Sequence, residues 1–323
     1  SAFLETDLPK LQALGRESRK PVFMWTYTLP SERSVEILNE AGYPLFIGAP
    51  GCARTMRVLA DYRALRERCL QPISDTVVPR PPPAKFRAEL LAAPPVLCEW
   101  HARPLLARYG IGVERLPGEL VSSAADAEMA ARNLGRPAAL KVQSADIPHK
   151  TEAGAVALNI SADGAANAYE RVLASATKHA PQARIDGVLV QPMAPPGREV
   201  ILGITRDATW GPLLMAGIGG VLVEALGDVA LAPVPLDRAA ATALLARLKG
   251  AAVLGPYRGA PGGDIDALID VIVRLSQLAA DHADDIAEID LNPVLVHEKR
   301  HGVSIVDALI VKQPRAPQRR AAE

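Results

Sequence analysis

Lys141 lies inside a short apolar run, residues 138–142, that follows the turn signal Gly135-Arg136-Pro137 and reads as a buried strand. A charged lysine is rarely buried without a partner, so its place suggests an anion such as phosphate held between two layers. A lysine that snorkels its stem along a sheet edge would have the same letters. The polar loop that follows, residues 143–154, offers His149, a group able to accept and donate protons or carry a phosphoryl group near neutral pH. A lone loop histidine is more often simply solvated. Further on, residues 287–296 and 304–311 read as two neighbouring strands joined around Gly302. Alternation puts Glu288, Asp290 and Asn292 on one face, with Ile289 and Leu291 on the other. With Asp307 from the second strand, those oxygens suit a magnesium ion bridging nucleotide phosphates, and they equally suit the polar outer face of an antiparallel sheet.

The elements that would position these groups are legible from periodicity. Helices are expected over 96–109, 124–134, 164–179, 237–248 and 264–280, with strands over 185–191 and 197–204. Pro104 should kink or shorten the first helix. Glycines at 217, 219 and 220 allow close backbone approach to a ligand, although a tight hairpin needs glycine too. The glycine-rich stretch 255–263 lacks the Gly-Lys-Ser/Thr ending of a phosphate loop and reads as a loop and helix cap. Upstream, residues 21–27 and 44–47 are strands alternating with helices 31–41 and 53–68, a spacing that implies parallel pairing. So few strands would leave apolar faces uncovered unless other chain packs there.

The run Lys-Val-Gln-Ser-Ala-Asp-Ile-Pro-His-Lys-Thr-Glu-Ala-Gly-Ala-Val from Lys141 resembles the motif of the ATP-grasp half of the ADP-forming acyl-CoA synthetases, relatives of succinyl-CoA synthetase. The match continues through Tyr109-Gly110-Ile111, the Trp-Gly-Pro…Gly-x-Gly-Gly…Glu stretch from Trp210 to Glu224, and Asp290-Leu291-Asn292-Pro293. Trp210 stands where the family usually has phenylalanine, and Gly154-Ala155 where it usually has two glycines; an alanine there should narrow the loop's backbone options.

The resemblance implies Lys141 as a phosphate ligand, His149 as a phosphate carrier on a mobile loop, and Asp290 as the carboxylate that steadies the phosphohistidine. It also implies adenine against Gln191, Pro192 and Met193, nucleotide contacts from Glu199, Gly219 and Gly220, and Mg²⁺ on Asn292 and Asp307. The implied fold is α/β and α+β. A partial flavodoxin-like parallel unit of the CoA-ligase type (1–72) and a proline-rich, semi-extended linker (73–95) lead to a two-lobed ATP-grasp domain (96–190 and 191–315), then a basic, disordered tail (316–323).

The implied enzyme is an ADP-forming acid-CoA ligase that converts acyl-CoA, ADP and phosphate reversibly into carboxylic acid, CoA and ATP. This chain carries no glycine-rich dinucleotide-type fold for CoA and no histidine in a Gly-His-x-Gly setting. The ATP/ADP and Mg²⁺ functions are therefore expected here, and CoA and acyl substrate in a missing half, in a longer chain or a partner subunit, with an oligomer as the assembly. A nucleotide-sensing regulatory module, as fused to acetyltransferases, is the alternative.

Thirty-six basic and thirty-six acidic residues balance within 323, which argues against a general nucleic-acid binder. No apolar run would span a membrane and no signal segment opens the sequence, so a cytoplasmic location is expected. Cys52, Cys69 and Cys98 lack CxxC spacing, and the six histidines lack helical zinc spacing. A reduced compartment without structural zinc is expected, with His297 and His301 solvated in a turn.

Overall fold

The computed structural model describes residues 2–18, 20–70, 85–112, 116–219, 227–256, 259 and 261–314. The proline run 79–83, Gly220, Glu224 and the tail 316–323 lie outside them. The chain falls into two compact units, Ser1–Asp75 and Thr76–Glu323.

In the first unit, β1 (Met24–Thr26) and β2 (Leu45–Ile47) pair in parallel, as their spacing predicts. Helices α1 (Ala2–Glu17), α2 (Glu32–Glu40) and α3 (Ala49–Leu70) accompany them, and the first was not expected from sequence. Ser31 caps α2 by accepting from the Ser34 amide, and Gly42 leaves that helix with φ +82°, a conformation that suits glycine. The core is small: Ile37, Leu38, Tyr43 and Cys52 are buried, and the Tyr43 hydroxyl donates to the Leu11 carbonyl at 2.6 Å.

The second unit holds two antiparallel sheets. Four strands run β4 (Glu119–Val121), β7 (Gly187–Pro192), β5 (Ala138–Gln143), β6 (Val156–Ile160). Helices α6 (Ala124–Leu134) and α7 (Ala165–His179) cover this sheet and share its apolar cluster. Both ends of α6 follow from sequence, since Ser123 caps it through the Asp126 amide and Gly135 ends it in the left-handed region.

The larger sheet has seven strands, β10 (Val229–Pro233), β9 (Gly211–Ile218), β8 (Arg198–Asp207), β11 (Ile286–Val296), β13 (Ala308–Lys312) and β3 (Val96–Leu97), with β12 (Val303–Ile305) also on β11. Helices α5 (Glu99–Arg108), α8 (Arg238–Ala246) and α9 (Ile265–Asp281) join its core, as does α4 (Phe86–Ala92) through Phe86 and Leu90.

Four expectations change. Residues 86–92 of the expected linker are helical, because Phe86 and Leu90 are fully buried and need a helix to reach one core together. The stretch 96–111 belongs to the larger lobe, since β3 pairs with β13 and Leu97, Leu105, Leu106 and Ile111 join that core. Pro104 sits inside α5 without breaking it. The second late strand is two, β12 and β13, which meet different halves of β11 on either side of residues 306 and 307. The cis Asn292–Pro293 bond lies where the pairing of β11 with β8 shifts register.

Candidate active site

The small lobe sends two lysines across to the large one, and both are buried. Lys141, on β5, donates to Glu99 Oε2 at 3.0 Å and to the Val306 carbonyl at 2.5 Å. Lys150, in the loop between β5 and β6, donates to both oxygens of Asp307 at 2.8 and 2.7 Å. A buried lysine does take an anion, as the sequence predicts, and here the anion is a protein carboxylate.

Glu99 begins α5 and is 1 % exposed. Burial pushes its carboxyl up, Lys141 draws it back down, and Asp307 raises it again. Its Oε1 accepts from Gln191 Nε2 at 3.1 Å and from Arg103 Nη1 at 3.3 Å, and Arg103 also donates to Gln191 Oε1 at 3.1 Å. Glu99 was not singled out from sequence, because an acidic residue in a first helical turn is ordinary favourable capping.

The loop carrying His149 is pinned at both shoulders, by Ile147 at 3 % exposure and by Lys150 on Asp307. His149 itself is exposed. Gly154 closes the loop with φ +62°, while Ala155 beside it is fully buried, takes a hydrogen bond from the Val142 amide and gives one to the Lys150 carbonyl. The glycine-demanding position keeps its glycine, and Ala155 has no positive φ, so the alanine fits this conformation of the loop.

Asp290 stands on β11 opposite Gly203 and Leu309, on the face it shares with Glu288 and Asn292. Burial above all, and then Asp307 and Glu288, push its carboxyl up to about 6 against the downward pull of His149 and Lys150. The catalytic pair expected from sequence thus lies within electrostatic reach. Asn292 and Glu288 are exposed and Asp307 is half-buried. Asp307 sits between β12 and β13, and the Val306 amide beside it donates to the Pro293 carbonyl at 3.0 Å, which holds this corner next to Asn292.

Gly219 and Glu199 come together: the Gly219 amide donates to the Glu199 carbonyl at 2.7 Å, and a Cβ on Gly219 would lie 2.8 Å from that of Glu199. Only glycine permits that approach. Gln191 and Pro192 are buried at the end of β7, and the Met193 amide donates to the Pro137 carbonyl. A cavity of about 580 Å³ opens just beyond them, lined by Leu116, Arg136, Pro195, Pro196, His297 and Ser304 among others. His297 is therefore not a solvated turn residue. It is 6 % exposed, with Nδ1 3.1 Å from the Pro196 carbonyl and Nε2 2.7 Å from Ser304 Oγ.

Residues 91–311 match the family model described as an ATP-grasp domain. The beta subunit of acetate–CoA ligase [ADP-forming] II from Pyrococcus furiosus is 38 % identical over 217 residues, 67 % of this chain and 91 % of that one. The chain belongs to the ATP-grasp family of the ADP-forming acyl-CoA synthetases. Acetate–CoA ligase [ADP-forming] I of Archaeoglobus fulgidus is 35 % identical over 282 residues, 87 % of this chain but 40 % of that relative. The chain thus spans about two fifths of the length of that relative. Among solved structures, the dinucleotide-forming acetyl-CoA synthetase 1 of Candidatus Korarchaeum cryptofilum matches with coenzyme A and Ca-AMPCP bound at a TM-score of 0.66 and 34 % identity, covering 71 % of this chain and 100 % of that one. With coenzyme A and Mg-AMPPCP, its phosphohistidine segment pointing towards the nucleotide binding site, the match has a TM-score of 0.59 and 32 % identity over the same shares. These relatives are ligases and synthetases, which does not favour the regulatory-module alternative. No helix among the described residues is long and apolar enough to cross a membrane.

Proposed function

We propose that this chain is the nucleotide-handling and phosphohistidine-carrying part of an ADP-forming acyl-CoA synthetase, and that the seam between its lobes is the phosphoryl-transfer site. The observation that carries this reading is the pair of buried lysines crossing the seam, with exposed His149 next to one of them and within electrostatic reach of Asp290. Two ammonium groups in a water-poor cleft offset the charge of transferring phosphate, and each would exchange a carboxylate for phosphate oxygens when nucleotide enters.

The unprotonated ring nitrogen of His149 attacks the γ-phosphorus of ATP; an N–P bond forms, the P–O bond to ADP breaks, and ADP leaves with the electron pair. The ring keeps the proton on its other nitrogen and becomes cationic, and the Asp290 carboxylate holds that charge. ATP synthesis is the same step reversed. Asn292 and Asp307 would hold Mg²⁺: the donors at this corner of the sheet are all oxygens, and magnesium usually takes only one or two carboxylates besides phosphate and water. The ion would neutralise phosphate charge during transfer. Adenine is assigned to the end of β7, Gln191 to Met193, beside the 580 Å³ cavity, with Glu199, Gly219 and Gly220 on the phosphate path.

CoA and acyl chemistry fall to a missing half. The first unit exposes Trp25, Tyr27, Leu29 and Ile47 on and after its two strands, at 52 %, 87 %, 86 % and 66 %, a face that suits further strands of an α/β domain in a longer chain or a partner subunit.

Incubation with magnesium and γ-labelled ATP tests the proposal. Acid-labile, base-stable label is expected on the chain and is absent from His149→Ala, while nucleotide binding persists in that variant. Tight nucleotide binding without label on the wild type would defeat the carrier role.

A further inference from the structure

Among the described residues, one group of three metal-ligating side chains has its donor atoms within 4.8 Å of one another: Cys98, His101 and Asp186. None of them takes part in the site above. We propose that they form a binding site for a thiophilic divalent cation of the zinc class, with water as the fourth ligand, and that the ion fastens the two lobes together.

The sulfur, imidazole nitrogen and carboxylate oxygen are the ligand types that zinc takes, and three protein ligands leave the open position of a tetrahedral site. Bonds of about 2.0–2.3 Å require the three atoms to close up by roughly 1 Å from their present spacing, within the reach of side-chain rotation. Thiolate and carboxylate together would balance the charge of a divalent ion.

Each ligand is held by its element. Cys98 is the N-cap residue of α5 and is 1 % exposed, and its carbonyl takes the His101 and Ala102 amides at 3.0 and 2.9 Å, which fixes the residue at the start of the helix. His101 lies one turn on, its Nε2 3.3 Å from Asp186 Oδ2. Asp186 precedes β7, and its amide donates to the Gln143 carbonyl at 2.8 Å. The neighbouring strut is tied by the Ser144 hydroxyl, which donates to the Arg184 carbonyl. Arg184 Nε, 3.6 Å from Asp186 Oδ1, is the competing cation, and it is 89 % exposed and free to swing away. His101 and Asp186 are 39 % and 22 % exposed in their side chains, which leaves a path for the ion, while the sulfur is sealed behind them.

Two of the ligands come from the large lobe and one from the small lobe, and Cys98 directly precedes Glu99, the partner of Lys141. An ion here would hold α5 against the strand that feeds the nucleotide site. Sequence could not show this, since the third ligand lies far from the other two along the chain.

Titration of the reduced, chelator-treated full chain with Co²⁺, and then Zn²⁺ in competition with a chromophoric chelator, tests the site. One equivalent of Co²⁺ should bind with thiolate-to-metal charge-transfer absorption in the near ultraviolet. Cys98→Ser should abolish the band, and His101→Ala and Asp186→Asn, both at accessible positions, should each weaken Zn²⁺ binding at least tenfold. A band that survives Cys98→Ser, placing the metal on Cys52 or Cys69, overturns the proposal. So does the absence of stoichiometric binding to the wild type, or Zn²⁺ affinity unchanged in both His101→Ala and Asp186→Asn.

Discussion

At the scale of single residues, Asp290 links chemistry to stability. An acid whose carboxyl is raised from its ordinary 3.8 to about 6 holds its proton more tightly in the folded state. Its contribution to stability is full below the unfolded value, is lost as pH rises through about 6, and is gone above it. Asp290→Asn should therefore stabilise the chain at pH 8, by something on the order of 1–3 kcal/mol, and leave it nearly unchanged at pH 4, as read by denaturant melts at both pH values. The same carboxylate must be ionised to hold a cationic phosphohistidine, so labelling of His149 should rise across pH about 6, and Asp290→Asn should be slow throughout. A wild-type labelling rate that falls as pH rises through that value would remove Asp290 from the mechanism. Glu99 is the second test. Its loss leaves Lys141 buried and unpaired, so Glu99→Ala should cost about 3–5 kcal/mol. Glu99→Leu with Lys141→Met should recover most of that stability while nucleotide binding is lost, because an apolar pair replaces the ion pair but cannot meet phosphate.

At the scale of elements, the loop between β5 and β6 presents His149 between two anchored residues, buried Ile147 and Lys150 on Asp307. Gly154 holds φ +62°, and a methyl group added to it would lie 3.4 Å from Ser175 Cβ on α7. Gly154→Ala should therefore cost about 1–2 kcal/mol and slow His149 labelling more than it weakens nucleotide binding. The loop was readable in sequence because its punctuation is local: an apolar strand before it, a glycine after it. So were α2 and α6, whose Ser31, Ser123 and Gly135 caps act within a few residues. The alternation that placed Asp290 on a polar face held as well. What sequence could not supply were pairings at a distance. Glu99 becomes the partner of Lys141 only when α5 leaves its neighbours in sequence and joins the larger lobe. Residues 86–92 read as linker because their helix is short and its amphipathic signal spans only two large side chains, Phe86 and Leu90; His282, stacked on Phe86 with ring centroids 4.4 Å apart, is far off in sequence. His297 looked like a turn residue because the hydroxyl that buries it, that of Ser304, lies across a hairpin.

At the scale of the whole molecule, the balance of apolar burial divides the chain unevenly. Both extensive hydrophobic clusters lie wholly within Thr76–Glu323, and the crossing ion pairs of Lys141 and Lys150 are made there too. The first unit buries only a handful of large side chains and leaves Trp25, Tyr27, Leu29 and Ile47 exposed. A unit of that size gains too little from burial to be robust without a covering surface. Removal of residues 1–75 should therefore leave a fragment that unfolds in one cooperative transition, with a midpoint within a few degrees of the main transition of the full chain, and that binds nucleotide with affinity within about threefold. The isolated first unit should melt broadly or not at all, with dye-accessible apolar surface. The beta-subunit relative, which aligns to only 67 % of this chain while 91 % of its own length is matched, agrees with a separable nucleotide unit. If the fragment loses nucleotide binding while its circular dichroism stays native, residues 1–75 contribute to the site directly. The seam between the lobes would then not be sufficient by itself.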